Sequence, residues 1–214
     1  MATRSITKPR VENADEIPPR VRILDAAFSA FMESGFAATS TLEIATRARV
    51  SKRELYALVG SKQEMLAACI RERAKRLQLP ADMPEPRDRE TLARTLEMFG
   101  TQLLREITDP TVVAVFRLAI AEAVRAPEVA QALNATGIEP SRAALHEIMT
   151  RARSAGLLDG EPQLMAEQFA GLLWGNLITS LLLRVADRPT PREIARRASD
   201  ATAALLQLYP PLSE

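Results

Sequence analysis

Residues 40–64 read STLEIATRARVSKRELYALVGSKQE, and the fold class rests on how that stretch is punctuated. Ser40, Ser51 and Ser61 are each followed three places on by a glutamate: Glu43, Glu54 and Glu64. A serine at an N-cap accepts from the free amides of a helix's first turn, and the glutamate can reach back to the serine's own amide. One such match is weak, because both residues are common. Three in succession, each opening a helix-compatible run, predict helices over 41–48, 52–58 and 62–79. The first two, of about two turns each and joined by 49–51, have the proportions of a helix-turn-helix.

Working outward, apolar residues recur at helical spacing from Arg20 as Ile23, Leu24, Ala27, Phe28, Phe31 and Met32. Pro18 and Pro19 suit the start of that helix and Gly35 its end. Leu42, Ile44, Ala45 and Ala48, then Leu55, Leu58 and Val59, are the sets expected to face it in a three-helix core. Met65, Leu66, Cys69 and Ile70 would tie the next helix to that core. Downstream, LPADMPEPRD at 79–88 marks a boundary. Further helices are expected near 88–107, 110–126, 128–135, 140–155, 162–184 and 191–208. Asp109-Pro110, Pro127, Gly137 to Pro140, Gly156, Pro162 and Pro189 to Pro191 separate them. The expected organisation is a flexible arm over 1–17, a helix-turn-helix domain with its connecting helix over 18–79, and a second helical domain over 80–214. The fold class is all-α, with about nine helices.

Composition agrees. Hydrophobic residues make up 47% of the chain and aromatics only 4%, with Ala and Leu favouring helix over strand. The net charge of +1 hides an asymmetry: residues 1–79 hold 14 Lys or Arg against 9 Asp or Glu, whereas 80–214 hold 14 against 18. A basic front joined to an acidic body suggests that the front meets a polyanion. The only cysteine, Cys69, excludes an intrachain disulfide and reads as a small buried hydrophobe. The first residues carry charges of both signs and no signal-peptide core. The longest apolar stretch, 169–183, is interrupted by Gly175, Asn176, Thr179 and Ser180 and is shorter than the roughly 20 residues a membrane span needs. The expected compartment is the cytoplasm. One histidine, one cysteine, no phosphate-binding loop and no ligand cluster at metal spacing give no nucleophile–base pair to build on. Neither an enzyme nor a cofactor is expected.

On the second short helix Lys52, Arg53, Tyr56 and Ala57 fall outside once Leu55, Leu58 and Val59 face in. Two cations in the first turn with a tyrosine one turn on suit entry into a major groove, N-terminus first. Lys52 and Arg53 can read base edges or hold phosphates. Ser40, Thr41, Arg49, Ser51 and Lys62 can contact the backbone of double-stranded DNA. Glu54 either closes its capping box or accepts from a cytosine amino group, and capping is the favoured role. The competing reading, left open by Glu54 and Ala57, is a helical interaction module that binds no operator. Salt-dependent DNA binding separates the two.

The pieces ILDAAFSAF (23–31), ESGF (33–36), TS (39–40), LEIATRARVSKRELY (42–56) and GSKQEML (60–66) together resemble the DNA-binding domain of TetR/AcrR-type regulators. The resemblance implies a homodimer on a palindromic operator and a repressor released by a small molecule. Three departures stand out: Arg49 where the family usually has Gly, Glu54 where it often has Thr, and Ala57, Leu58 and Val59 where polar or aromatic residues are common. VFRLAIAEAVRAPEVAQAL (115–133) and GLLDGEPQLMAEQFAGLLWG (156–175) are similar to many C-terminal domains of the same family. There the resemblance implies an inducer pocket among the middle helices and a dimer built by the last two. By chemistry the pocket candidates are Met98, Phe99, Leu103, Phe116, Arg117, His146, Met149, Trp174 and Asn176, for an apolar or amphipathic ligand. Pairing with Glu122 is the plainer role for Arg117. The dimer candidates are Phe169, Leu172, Leu173, Leu177, Leu181, Ala198, Ala201 and Leu205. A regulator that binds DNA without a ligand is the remaining variant.

Overall fold

Proline sets the first helix of the computed structural model, which describes residues 17–74 and 86–212. Pro19, at the first helical position, lacks the amide that would be unsatisfied there anyway, and α1 runs Pro19–Ser34. Gly35, at φ 80°, ends it. The loop after it is fastened from inside: buried Thr39 donates to Ala30 O at 3.0 Å and to Gly35 O at 2.7 Å. Next come α2 (Thr41–Ala48), α3 (Lys52–Val59) and α4 (Lys62–Ala74). The chain divides into two compact units, Met1–Leu66 and Ala67–Glu214, so α4 carries residues of both. The arm over 1–16, the end of the helix expected to reach 79, and the seam over 79–85 lie outside the described residues.

In the first unit Ile23, Leu24, Ala27, Ala30 and Phe31 of α1 are buried with Ile44, Ala45 and Ala48 of α2 and Leu55 of α3. Two expected core residues are not there. Leu42 is 63% exposed and Leu58 40% exposed. Helices of eight residues present one narrow inward stripe, already filled by Ile44, Ala45, Ala48 and Leu55, so the flanking leucines face solvent.

The second unit continues with α5 (Arg89–Ile107), α6 (Pro110–Glu122), α7 (Pro127–Leu133), α8 (Glu139–Ser154), α9 (Pro162–Trp174), α10 (Leu177–Leu182) and α11 (Pro191–Leu208). Its core gathers Leu92, Leu96, Phe99, Leu103 and Leu104 of α5 with Phe169 and Leu173 of α9 and Ala198 and Leu205 of α11. Gly100 lets these helices close in: a Cβ there would stand 3.1 Å from Leu173 Cδ1 and 3.3 Å from Ala198 Cβ. Arg89 fastens the far end of α11. Its Nη1 donates to Leu157 O at 2.7 Å and Tyr209 O at 3.1 Å, and its Nη2 to Leu206 O. Carbonyls in the last turn of a helix lack intrahelical partners, so a guanidinium there satisfies them and meets the negative end of the helix dipole.

Two expected boundaries move. The helix over 162–184 breaks at Gly175, whose φ of 47° and ψ of −128° no helix accommodates, separating α9 from α10. The stop expected at Gly137 to Pro140 is instead a π turn over Asn134–Ile138 that joins α7 to α8. Glu139 N–H donates to Asn134 O, five residues back. Pro140 has no amide and would clash with the carbonyl four residues earlier, so the helix widens there rather than ending. Among the described residues every regular element is helical, and no helix is long and apolar enough to cross a membrane.

Candidate nucleic-acid interface and ligand cavity

The turn between α2 and α3 is made by Arg49, which sits in the left-handed region at φ 54°, ψ 48°. Its amide closes onto Ala45 O and Thr46 O. A side chain in that conformation costs roughly 1–2 kcal/mol relative to glycine. Ser51 then caps α3, accepting from Glu54 N at 3.1 Å. Lys52 and Arg53 are exposed and have no intramolecular partner among the described residues. Tyr56, 45% exposed, holds its hydroxyl 3.2 Å from Thr41 Oγ1, a bond between the outer sides of α2 and α3. Ser40 caps α2 through Glu43 N at 3.1 Å. Lys62 is more committed than expected. Its Nζ donates to Ala37 O at 3.3 Å and lies 4.5 Å from the centre of the Phe36 ring, so it pins the loop before α2 to the start of α4. Arg47, not singled out in the sequence, bridges Glu33 at 2.9 Å and Glu43 at 2.7 Å.

In the second unit a cavity of about 450 Å³ opens among α5, α6, the π turn, α8 and α9. Of the residues expected at a pocket, Leu103, Phe116 and Trp174 line this cavity. The other pocket candidates do not. Phe99 and Met149 are wholly buried core residues. Met98 is half exposed, Asn176 sits exposed just before α10, and His146 is half-buried outside the lining. Arg117 pairs with no carboxylate among the described residues; its Nε donates to Leu182 O at 3.0 Å and its Nη2 to Leu181 O, holding the end of α10. Ile107, Ile138, Leu145, Ala166, Ala170 and Gly171 complete the apolar wall. The small residues among them carry no chemical signature that a sequence reading could seize on. Ser141, Arg142, Gln163 and Glu167 supply polar groups. A larger groove of about 620 Å³ mixes Arg188, Arg196 and Arg197 with Asp187, Glu193 and Asp200, a poorer match to an apolar guest.

The dimer candidates sit mostly inside the chain. Phe169, Leu173, Leu177, Leu181, Ala198, Ala201 and Leu205 are buried in the chain's own core, and only Leu172 remains exposed. The apolar faces of the last helices are covered within the chain, α9 by α8 and α11, α10 by α6, and α11 by α5 and α9.

Residues 23–69 match the model of the bacterial regulatory proteins of the tetR family, and residues 94–211 match that of the AefR-like transcriptional repressor, C-terminal domain. The chain belongs to the TetR family of transcriptional regulators. Solved TetR-type structures agree over nearly its whole length. A TetR transcriptional regulator from Agrobacterium tumefaciens is 27% identical, with a TM-score of 0.78 over 91% of this chain and 95% of that one. The flavonoid-responsive regulator FrrA is 30% identical, with a TM-score of 0.76 over 91% and 98%. A putative TetR-family regulator from Mesorhizobium loti is 25% identical, with a TM-score of 0.74 over 90% and 96%. No curated protein matches the chain. In a TetR regulator the first unit is the DNA-binding part, and here it carries the unpartnered cations and the Thr41–Tyr56 pair.

Proposed function

We propose that this TetR-family protein is a cytoplasmic repressor that grips a palindromic operator as a homodimer and is released by a small apolar or amphipathic ligand. The observation that carries the reading is the outer face of α3: Lys52 and Arg53 stand exposed and unpartnered in its first turn, with Tyr56 one turn on and tied to Thr41. Cations with no internal partner are available to phosphates and base edges, and the positive end of the helix points the same way. Arg49, Ser40, Ser51 and Lys62 flank that face as phosphate contacts, Lys62 with the donors its internal bond leaves over. Two copies would place their α3 helices in successive major grooves, about 34–36 Å apart. The face left for a second copy is the exposed one, with Leu164 and Leu172 on α9 and Leu208 on α11.

The ligand belongs in the 450 Å³ cavity, between Phe116 and Trp174. Small residues of α9 beside Trp174, with the Phe116 ring on α6, suit a flat, largely apolar molecule with a few polar groups. A flavonoid, the class named for the 30% identical FrrA, fits that description. The repressor description of the matched C-terminal family supports the sign of regulation. The ligand acts on DNA affinity through α4, whose residues belong to both units, provided it prefers the DNA-incompetent state.

The test is footprinting of purified protein on the DNA upstream of its own gene and its neighbours at two salt concentrations. A protected palindrome, weakened by Lys52→Ala, by Tyr56→Ala and by salt, supports the reading. Retention of full affinity by both variants would sink it.

A further inference from the structure

The three serine–glutamate pairs that open the short helices end differently. Glu64 closes its box: its Oε2 accepts from Ser61 N at 2.7 Å while Ser61 Oγ accepts from Glu64 N at 3.2 Å. The Glu43 carboxylate is taken by Arg47 at 2.7 Å. Glu54 does neither. Its backbone amide donates to Ser51 Oγ, which fulfils the helical half of the cap. Its carboxylate has no hydrogen bond or ion pair among the described residues. The capping role favoured from the sequence is therefore only half filled, and a free carboxylate stands in the first turn of the helix that presents Lys52 and Arg53. At 100° per residue it lies on the flank of the face that carries Arg53 and Ala57.

A free carboxylate facing a polyanion lowers affinity for every sequence unless a base supplies a donor. In the major groove the exocyclic donors are cytosine N4 and adenine N6. Adenine sets its N7 acceptor beside that amino group, and N7 repels an acceptor-only side chain. Cytosine offers the donor with no acceptor next to it on the same base edge. We infer that Glu54 selects a cytosine in each operator half-site by accepting from its N4 amino group. The inference rests on the DNA-binding reading above and adds a base identity to it.

The experiment is selection from a random duplex library with the full-length protein, followed by affinities for the selected and for unrelated duplexes. The wild type should require cytosine at one position of each half-site. Glu54→Ala should lose about tenfold discrimination at that position, leave the other positions unchanged, and bind unrelated DNA more tightly. Glu54→Gln, whose amide pairs with both N6 and N7, should shift the same position to adenine. The amide-to-serine cap survives in both variants, so neither result needs a change in folding. Unaltered base preferences in both variants, with binding intact, would overturn the inference and leave the DNA-binding reading standing. A wild type that retains no duplex would overturn both.

Discussion

Arg49 occupies a backbone conformation that glycine adopts at no steric cost, in a turn that presents its charge beside α3. Replacing it with glycine sets two effects against each other. The Arg49→Gly protein should be more stable, by about 0.5–1 kcal/mol once glycine's greater unfolded-state freedom is deducted. Its operator affinity should fall with the loss of one phosphate contact, and the slope of log affinity against log salt should shrink by about 1. Thermal melting and a salt titration read the two quantities separately; a variant that loses stability would mean that Arg49 makes contacts beyond its charge. The αL position was legible in the sequence, because a family turn that usually holds glycine marks a backbone demand. The exposure of Leu42 and Leu58 was not, since spacing on an eight-residue helix does not say how wide a stripe its neighbours cover. Nor did any spacing show that Arg117 would hold backbone carbonyls rather than a carboxylate.

At the level of elements, caps do much of the work that propensity leaves undone. The carboxyl groups of Glu64, Asp88, Glu161 and Glu193 are all held below their usual range, chiefly by backbone amides of Ser61, Thr91, Leu164 and Thr190. A carboxyl group whose folded value is depressed stabilises the native state above its unfolded value. That contribution disappears as pH falls through the folded value. Thermal midpoints should therefore be level near neutrality and decline from about pH 5 downward, and replacing all four caps with their amides should flatten that decline. An unchanged slope in the amide variant would place the acid sensitivity elsewhere. Arg89 belongs to the same scale, since it satisfies the ends of two segments far apart in sequence. Arg89→Met should cost about 2–4 kcal/mol and lower the melting temperature accordingly, with no effect on the salt slope of DNA binding. Serine caps are read easily from sequence because both partners lie within four residues. Yet of the three serine–glutamate pairs only Ser61–Glu64 closes a full box, and the boxes Asp88–Thr91 and Thr190–Glu193 were not singled out there. Long-range caps such as Arg89 are not read easily, because nothing local marks their acceptors.

For the molecule as a whole, the cavity bordered by Phe116 and Trp174 is lined by residues of the second unit alone, so the proposed ligand response can be tested apart from the proposed DNA contacts. Ala170→Phe should fill part of it while leaving the first unit's residues untouched. The variant should protect an operator as the wild type does, yet show no rise in melting temperature with a flavonoid that stabilises the wild type. A preserved thermal shift would place the ligand elsewhere. The all-helical class and the position of the helix-turn-helix followed from the caps and from the proline and glycine punctuation. The pocket came through only in part. Leu103, Phe116 and Trp174 were recognisable as large groups on middle helices, whereas Ala166, Ala170 and Gly171 matter for the room they leave. The burial of Phe169, Leu173 and Leu205 inside the chain was not legible for a related reason: apolar width does not distinguish a helix buried by its own chain from one awaiting a second copy.

The π turn over Asn134–Ile138 fits one more residue into a turn than an α-helix holds. When this chain is aligned with a relative that lacks that residue, the alignment will open a one-position gap there. Such a gap would ordinarily be taken for a trimmed loop. In a continuous helical run it is instead the extra residue absorbed by the widened turn, so that the helical segments on its two sides keep the faces they present in the shorter relative. Closing the gap would rotate α7 by about 100° against α8. Homology models built without the gap will present the wrong side chains of α7 around the π turn, and comparisons of ligand preference drawn from them will inherit that offset.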